Sequence, residues 1–274
     1  MNRKRGGGMK PFLVWAGGKY KIIERVLDAL PTGNRLVEPF VGSGAVFLNA
    51  GFEAATVADS NQDLIGLYKI IQAEGEAFAQ YAAALFVPEN NTETVFYQFR
   101  EEFNASKDLA RKAALFVYLN RHCFNGLCRY NGKGKFNVPF GRHAKPQFPM
   151  TEMLGFHQKS QSVTFNVADF RGTLDSVSEG SVVYCDPPYA PLTATANFSS
   201  YTAAGFGLKD QQDLAIAARM LRERNIPVVI SNHDTEFTRF IYADAKIVSF
   251  DVQRFISSDA KNRGKAAELL AIYD

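Results

Sequence analysis

VVYCDPPYAPL, residues 182–192, is an apolar, β-branched run that stops against two prolines. A strand needs backbone N–H donors, and Pro187 and Pro188 have none. The strand must therefore end near Cys185 and leave Asp186 at its carboxyl end. Ligands of open α/β sheets collect at that edge. The turn is expected to present its acid and the following Tyr189 to a ligand, rather than merely reverse the chain.

Other strand-like runs end in polar or small residues too. Residues 35–38 lead to PFVGSG, 55–58 to DSN and 228–231 to NHD, and residues 163–167 precede Asp169. Helical patterns lie between them, as in residues 208–222, where Leu214, Ala215, Ala218 and Leu221 share one face. Strands alternating with helices predict an α/β fold whose parallel sheet is covered on both faces. Residues 247–252 and 269–273 resemble an antiparallel pair separated by the polar, basic stretch 257–265.

The middle of the chain differs. Helical patterns dominate at 64–72, 76–86, 93–104 and 109–120, followed by RHCFNGLCRYNGKGKFNVPFGRHAKP. That segment carries Arg121, Arg129, Lys133, Lys135, Arg142 and Lys145 and no acid. The expected organisation is an α/β domain of residues 1–61 and 146–274, interrupted by a mainly helical insertion, 62–145, that ends in a basic hairpin loop.

With 274 residues, 46% of them hydrophobic and 22% charged, the composition is that of an ordinary globular protein. A net charge of +3 is too small to indicate a polyanionic partner; its distribution matters more. Cys123, Cys128 and Cys185 are odd in number, lack C-x-x-C spacing and have no nearby run of histidines. Neither a disulfide framework nor a metal site is favoured, and a reduced, cytoplasmic protein is expected. No apolar run approaches the roughly 18 residues of a membrane span. The opening MNRKRGGGMK is basic without a following hydrophobic segment, so it reads as a mobile arm and not as a secretory signal.

Gly42 and Gly44 stand between a strand and a helix, where glycine lets the backbone pass close to a ligand. A lone G-x-G also suits a tight turn with no ligand. Asp59, ending the next strand about 20 residues on, is placed to take both hydroxyls of a ribose. A third glycine and a Walker lysine are absent, which points to a nucleoside without a pyrophosphate.

FLVWAGGKY (12–20), VEPFVGSGAVFL (37–48) and DPPY (186–189), in this order, resemble the motifs of bacterial and phage DNA adenine-N6 methyltransferases of the Dam type. The likeness continues through YQFREEFN, LNRHCFNGLCRYN, FNVPFGR and APLTATANFSSY to ISNHDT, over nearly the whole chain. It implies S-adenosylmethionine as donor, a Rossmann-like class I methyltransferase sheet, a target-recognition insertion, double-stranded DNA as substrate, and a monomer without a catalytic metal. On the matching positions, Trp15, Ala16, Gly17 and Lys19 belong to the segment that closes over the donor's methionine part. Glu38, Pro39, Phe40, Gly42, Ser43 and Gly44 border the same donor, and Asp59 is its ribose acid. Asp169 and Phe170 lie where the family contacts the donor's adenine; a helix cap and a core aromatic are the alternative, less favoured roles.

An exocyclic adenine amine is a poor nucleophile because its lone pair is delocalised into the ring. The Asp186 carboxylate and the Pro187 carbonyl would accept its two N–H hydrogens as positive charge grows there. Tyr189 would stack on the extruded base. Cytosine-N4 enzymes usually carry serine in place of this acid, so Asp186 favours adenine. Cys185 raises a cytosine-C5 mechanism, but its place inside the strand suits a core thiol better. A DNA-binding homologue that has lost catalysis is the rival of another class, and intact Lys19, Asp59, Asp186 and Tyr189 weigh against it.

The resemblance also assigns the basic loop. Phe124 is the wedge that enters the base stack, and Asn125 contacts the orphaned partner or its backbone. Leu127 and Pro139 match positions that pack on thymine methyl groups, and Arg129 matches one that reads a guanine. Arg100, Asn131, Asn137 and Arg142 are expected at phosphates or in support. Where relatives commonly carry a lysine for the first guanine of GATC, this chain has Val14, which cannot donate a hydrogen bond. Recognition of 5′-GATC-3′ is expected to be relaxed at the first base pair unless Lys10 or the basic arm substitutes.

Overall fold

The computed structural model describes residues 8–192, 205–253 and 265–274. The basic arm up to residue 7, APLTATANFSSY from residue 193 onward, and the stretch 257–264 lie outside the described residues. The strands are β1 (Arg35–Glu38), β2 (Ala54–Asp59), β3 (Val163–Val167), β4 (Ser181–Cys185), β5 (Val228–His233), β6 (Lys246–Gln253) and β7 (Lys265–Tyr273). They form a seven-stranded sheet in the order β3-β2-β1-β4-β5-β7-β6. β4 runs parallel to both β1 and β5, and β7 lies antiparallel between β5 and β6. β4 ends at Cys185, as two consecutive prolines require. The α/β class and the antiparallel end pair are as the sequence predicts.

The chain divides into two compact units, the first made of residues 1–27, 41–51 and 56–167. Its helices include α2 (Ala45–Asn49), α3 (Gln62–Glu74), α4 (Glu76–Ala83), α5 (Glu93–Ala105), α6 (Leu109–His122) and α7 (Met150–Ser160); α1 (Ile23–Ala29) begins within it. Three of these helices start where a side chain takes an orphan backbone N–H: Asn61 for α3, Thr92 for α5 and Asp108 for α6. α6 is buried without a break over 113–120 and packs against α3, α4 and α5. A helix apolar on every side belongs at the centre of a bundle. Aromatic rings fill the spaces: Tyr68 lies 4.7 Å from Phe156 and 5.6 Å from Phe165, and Tyr118 stacks on His122 at 3.8 Å. After α6 the chain makes a 3-10 turn at Phe124–Gly126 and then a hairpin held by the bridges Cys123–Phe140 and Tyr130–Phe136.

The second unit holds residues 28–40, 52–55 and 168–274. It contains α8 (Phe170–Asp175), α9 (Leu208–Glu223) and α10 (Glu236–Ile241) with β1, β4, β5, β6 and β7. α9 buries Leu214, Ala215, Ala218 and Leu221, the stripe expected from its 3.6-residue period. They meet Val183, Cys185 and Ile230 of the sheet in one apolar core. Every residue of β4 is buried, which explains why it reads as an unbroken apolar run instead of an alternating one.

Candidate active site

In the first unit, the glycine turn and the acid of β2 are directly joined. Asp59 accepts the N–H of Gly42 through Oδ2 at 3.2 Å and that of Asn61 through Oδ1 at 2.9 Å. Burial raises its pKa above the ordinary 3.8, and the two N–H donors oppose that rise. Gly42 has φ +46°, and a Cβ there would stand 2.8 Å from Nε1 of Trp15. The indole therefore lies close against the turn, and only glycine leaves room for it there. Ser43 is buried, and Gly44 in αL conformation precedes α2. Ala16 and Gly17 are exposed, while Lys19 is buried and donates from Nζ to the Gly17 carbonyl at 2.5 Å. The structure thus gathers Trp15, Gly42 and Asp59 around one turn.

In the second unit, Asp186 sits at the end of β4 within a buried polar scaffold. Ser231 on β5 donates from Oγ to Asp186 Oδ1 at 2.9 Å, and the Tyr184 hydroxyl donates to Ser231 Oγ at 3.0 Å. Burial first, then the charge of Asp186, holds the Tyr184 phenol well above its ordinary pKa, so it stays a donor and the chain of bonds runs one way. The turn's backbone is pinned as well. Gln211 of α9 donates to the Pro188 carbonyl at 2.7 Å, and the Ala190 N–H donates to Asn232 Oδ1 at 2.9 Å. Asn232 also donates to Gln211 Oε1 at 2.9 Å and to the Tyr242 oxygen at 3.1 Å. Gln211, Ser231 and Asn232 are 0% exposed, and a buried network satisfied in this way is rigid.

Tyr189 directs its hydroxyl to Glu268 Oε2 at 3.2 Å, with its ring edge-to-face with His233 at 4.8 Å. Pro187 is buried and Pro188 exposed. Cys185 is 0% exposed, and burial pushes its thiol above the ordinary 9.0. It is a core side chain and holds no thiolate for attack on a cytosine ring. Glu38 and Pro39 are buried, and Phe40 stacks on Phe170 with centroids 5.5 Å apart and planes at 27°. Asp169 caps α8 by accepting the Arg171 N–H at 2.9 Å, while its side chain stays largely exposed.

The loop residues converge in the hairpin of the first unit. Phe124 is 50% exposed, and its N–H donates to the Pro139 carbonyl at 2.9 Å. Asn125 has φ +54°, and Leu127 donates its N–H to the Phe124 carbonyl at 3.2 Å. Arg129 is exposed and held in place by Asn137, with Nε 2.8 Å from Oδ1 and Nη2 3.3 Å from the carbonyl. Arg100 donates to the Val138 carbonyl at 3.2 Å, and Asn131 Oδ1 accepts the N–H groups of Lys133 and Lys135. Arg142 pairs with Glu93 at 3.3 Å at the surface, away from the Arg129–Asn137 pair in the bond pattern.

Sequence reasoning passed over Tyr184, Gln211, Ser231 and Asn232. The one available signal was ISNHDT, a polar string closing an apolar strand just as DPPY does. Among the described residues no helix is long and apolar enough to cross a membrane, and no group of three or more His, Cys, Asp or Glu is placed to hold a metal.

A mixed sheet with a glycine turn after its first strand and a braced acidic turn after its fourth defines a Rossmann-like methyltransferase. The sequence profile of the D12 class N6 adenine-specific DNA methyltransferases matches residues 15–256. A DNA adenine methylase of Escherichia coli strain K12 is 52% identical over 264 residues, covering 96% of this chain and 95% of that protein. Those of Serratia marcescens and Vibrio cholerae are 50% and 48% identical over 265 residues, covering 96% of this chain and 98% and 96% of theirs. The chain belongs to the D12 class of N6 adenine-specific DNA methyltransferases; it is a Dam-type enzyme that methylates adenine in DNA.

Proposed function

We propose that the chain methylates N6 of the adenine in 5′-GATC-3′ duplexes, using S-adenosylmethionine and a target base turned out of the helix. The donor supplies a methyl carbon on a sulfonium, whose departure leaves a neutral thioether. Asp59 suits its ribose, because a carboxylate already ordered by two N–H groups keeps lone pairs for two hydroxyls. Trp15, Ala16, Gly17 and Lys19 take the methionine part. Glu38, Pro39, Phe40, Gly42, Ser43 and Gly44 border the donor, and Asp169 and Phe170 meet its adenine.

Asp186 and the Pro187 carbonyl accept the two hydrogens of the target amine, drawing its lone pair out of the ring and holding it in line. The N–CH3 bond forms as the S–CH3 bond breaks, and one N–H proton then leaves to solvent to give neutral N6-methyladenine. Tyr189 stacks on the extruded base. The observation that carries this reading is the Tyr184–Ser231–Asp186 chain, which sets the plane of the carboxyl group at the sheet edge.

Residues 62–145 read the DNA, while 1–61 and 146–274 carry the donor chemistry, and the protein acts as a cytoplasmic monomer. Phe124 wedges into the stack and Asn125 meets the orphaned partner. Leu127 and Pro139 pack on thymine methyls, Arg129 reads guanine, and Arg100, Asn131, Asn137 and Arg142 hold phosphates or support the loop. Val14 leaves the first guanine without a donor at that position.

The test is incubation with labelled donor and duplexes altered one base at a time, followed by nucleoside analysis. N6-methyladenine is expected in GATC, with reduced discrimination at the first pair. Its absence from every duplex would overturn the assignment. Full discrimination at the first pair would overturn the relaxation alone, unless Lys10→Ala abolished it.

A further inference from the structure

Residues 14 and 126 belong to distant stretches of sequence, and one buried carboxamide joins their backbones. Asn120, 3% exposed near the end of α6, accepts the Val14 N–H through Oδ1 at 2.9 Å. Its Nδ2 donates to the Val14 carbonyl at 2.8 Å and to the Gly126 carbonyl at 3.2 Å. Both amide hydrogens are committed, and Val14 is bonded on both sides as a neighbouring strand would bond it. Helix propensity does not explain an asparagine here, because it is a weaker helix former than the Ala and Leu residues before it in α6. Gly126 has φ +62°, and a Cβ on it would fall 2.3 Å from Cγ1 of Val14. The two segments are therefore in contact where Gly126 lacks a side chain and bonded through Asn120. Neither can shift without the other.

Each end leads to a functional segment. Val14 precedes Trp15, whose indole lies on the Gly42 turn bonded to Asp59. Gly126, itself buried, lies between the exposed Phe124 and Arg129. A longer tie runs beside it: Asn61, which donates its N–H to Asp59, also donates from Nδ2 to Cys128 Sγ at 3.4 Å. Sulfur is a weak acceptor, so Asn120 is the stronger link.

We propose that Asn120 is a positioning residue through which donor binding and DNA reading depend on each other. This rests on the donor role proposed above for the segment at Trp15. A donor that settles the Trp15 segment also settles Val14, and Asn120 passes that order to the carbonyl of Gly126 and so to the turn carrying Phe124 and Arg129. By linkage the effect is reciprocal, so bound DNA strengthens donor binding by the same factor.

The experiment measures the affinity of a fluorescent GATC duplex, by anisotropy, with and without sinefungin, a donor analogue that transfers no methyl. The native chain should bind the duplex about 10-fold more tightly with sinefungin, within the usual range of such couplings. In Asn120→Ala that ratio should fall below about 2-fold, though each ligand alone still binds. A purely structural role would lower both affinities and leave the ratio intact. Asn120→Ser, smaller but able to keep one hydrogen bond, serves if the alanine variant fails to fold. A native ratio of one, or a folded variant that keeps the native ratio, overturns the inference while leaving the donor reading standing. A native chain that binds duplex but not sinefungin overturns the donor reading, and this inference falls with it.

Discussion

The Ser231 hydroxyl donates to Oδ1 of Asp186 across 2.9 Å, from a neighbouring strand 45 positions further along the chain. It has one proton to give, and the Tyr184 hydroxyl at 3.0 Å occupies its acceptor side, so the direction of the pair is settled. Ser231→Ala removes a hydrogen bond to a charged group, worth about 1.5–3 kcal/mol. On the proposed role of Asp186, methyl transfer should fall about 10- to 100-fold in kcat with KM for DNA little changed, because the lost contact orients the group that grips the amine and binds no phosphate. Asp186→Asn, which replaces an acceptor by an amide, should be slower still. Single-turnover rates on one GATC duplex separate these outcomes, and equal rates for Ser231→Ala and the native chain would exclude the role.

Asp59 gives a pH dependence with a defined sign. On the proposed reading both ribose hydroxyls donate to the carboxylate, and the acid is a weaker acceptor with one oxygen turned donor, so donor binding weakens as Asp59 takes up a proton. Burial raises its pKa above 3.8, so this loss should begin at a higher pH than for an exposed aspartate. Titration calorimetry with S-adenosylhomocysteine between about pH 4 and 8 should show affinity falling toward the acid side. Asp59→Asn should bind about 10- to 100-fold more weakly and lose the slope, as expected when a hydrogen bond to a charged group is removed.

Arg129 is held by Asn137 before any DNA arrives, so its guanidinium loses little freedom on binding. If it reads a guanine as proposed, Arg129→Ala should reduce discrimination at that base by about 1–3 kcal/mol, or roughly 5- to 150-fold. Asn137→Ala should weaken the same preference less. Competition between matched and singly altered duplexes measures both; a uniform loss over all sequences would mark Arg129 as a phosphate contact.

His122 ties stability to pH in the first unit. Burial above all, with the nearby His143 and Arg121, lowers its pKa from 6.5 to about 4, against the hydrogen bond to the Tyr118 carbonyl, which raises it. The unfolded chain thus binds a proton that the folded chain refuses, and stability is lost as pH falls below 6.5. The loss should be on the order of 2 kcal/mol between about pH 7 and 5. Urea unfolding of the native chain and of His122→Phe at both pH values gives the comparison, and the variant should lose most of the dependence.

By itself the sequence settled whatever depends on neighbours along the chain. Two prolines after Cys185 end a strand, and β-branched runs alternate with 3.6-residue stripes. The α/β class, the strand ends at Glu38, Asp59 and Cys185, and the acidic turn all follow from such local chemistry. Only the tertiary structure decided which groups stand behind that turn. Ser231, Asn232 and Gln211 approach it from β5 and α9, and Asn120 joins Val14 to Gly126 across 106 positions of chain on one side. A hydrogen bond between distant residues leaves no periodicity and no composition bias. A buried Ser, Asn or Gln therefore looks like any surface polar residue until packing encloses it, and then desolvation demands its partner.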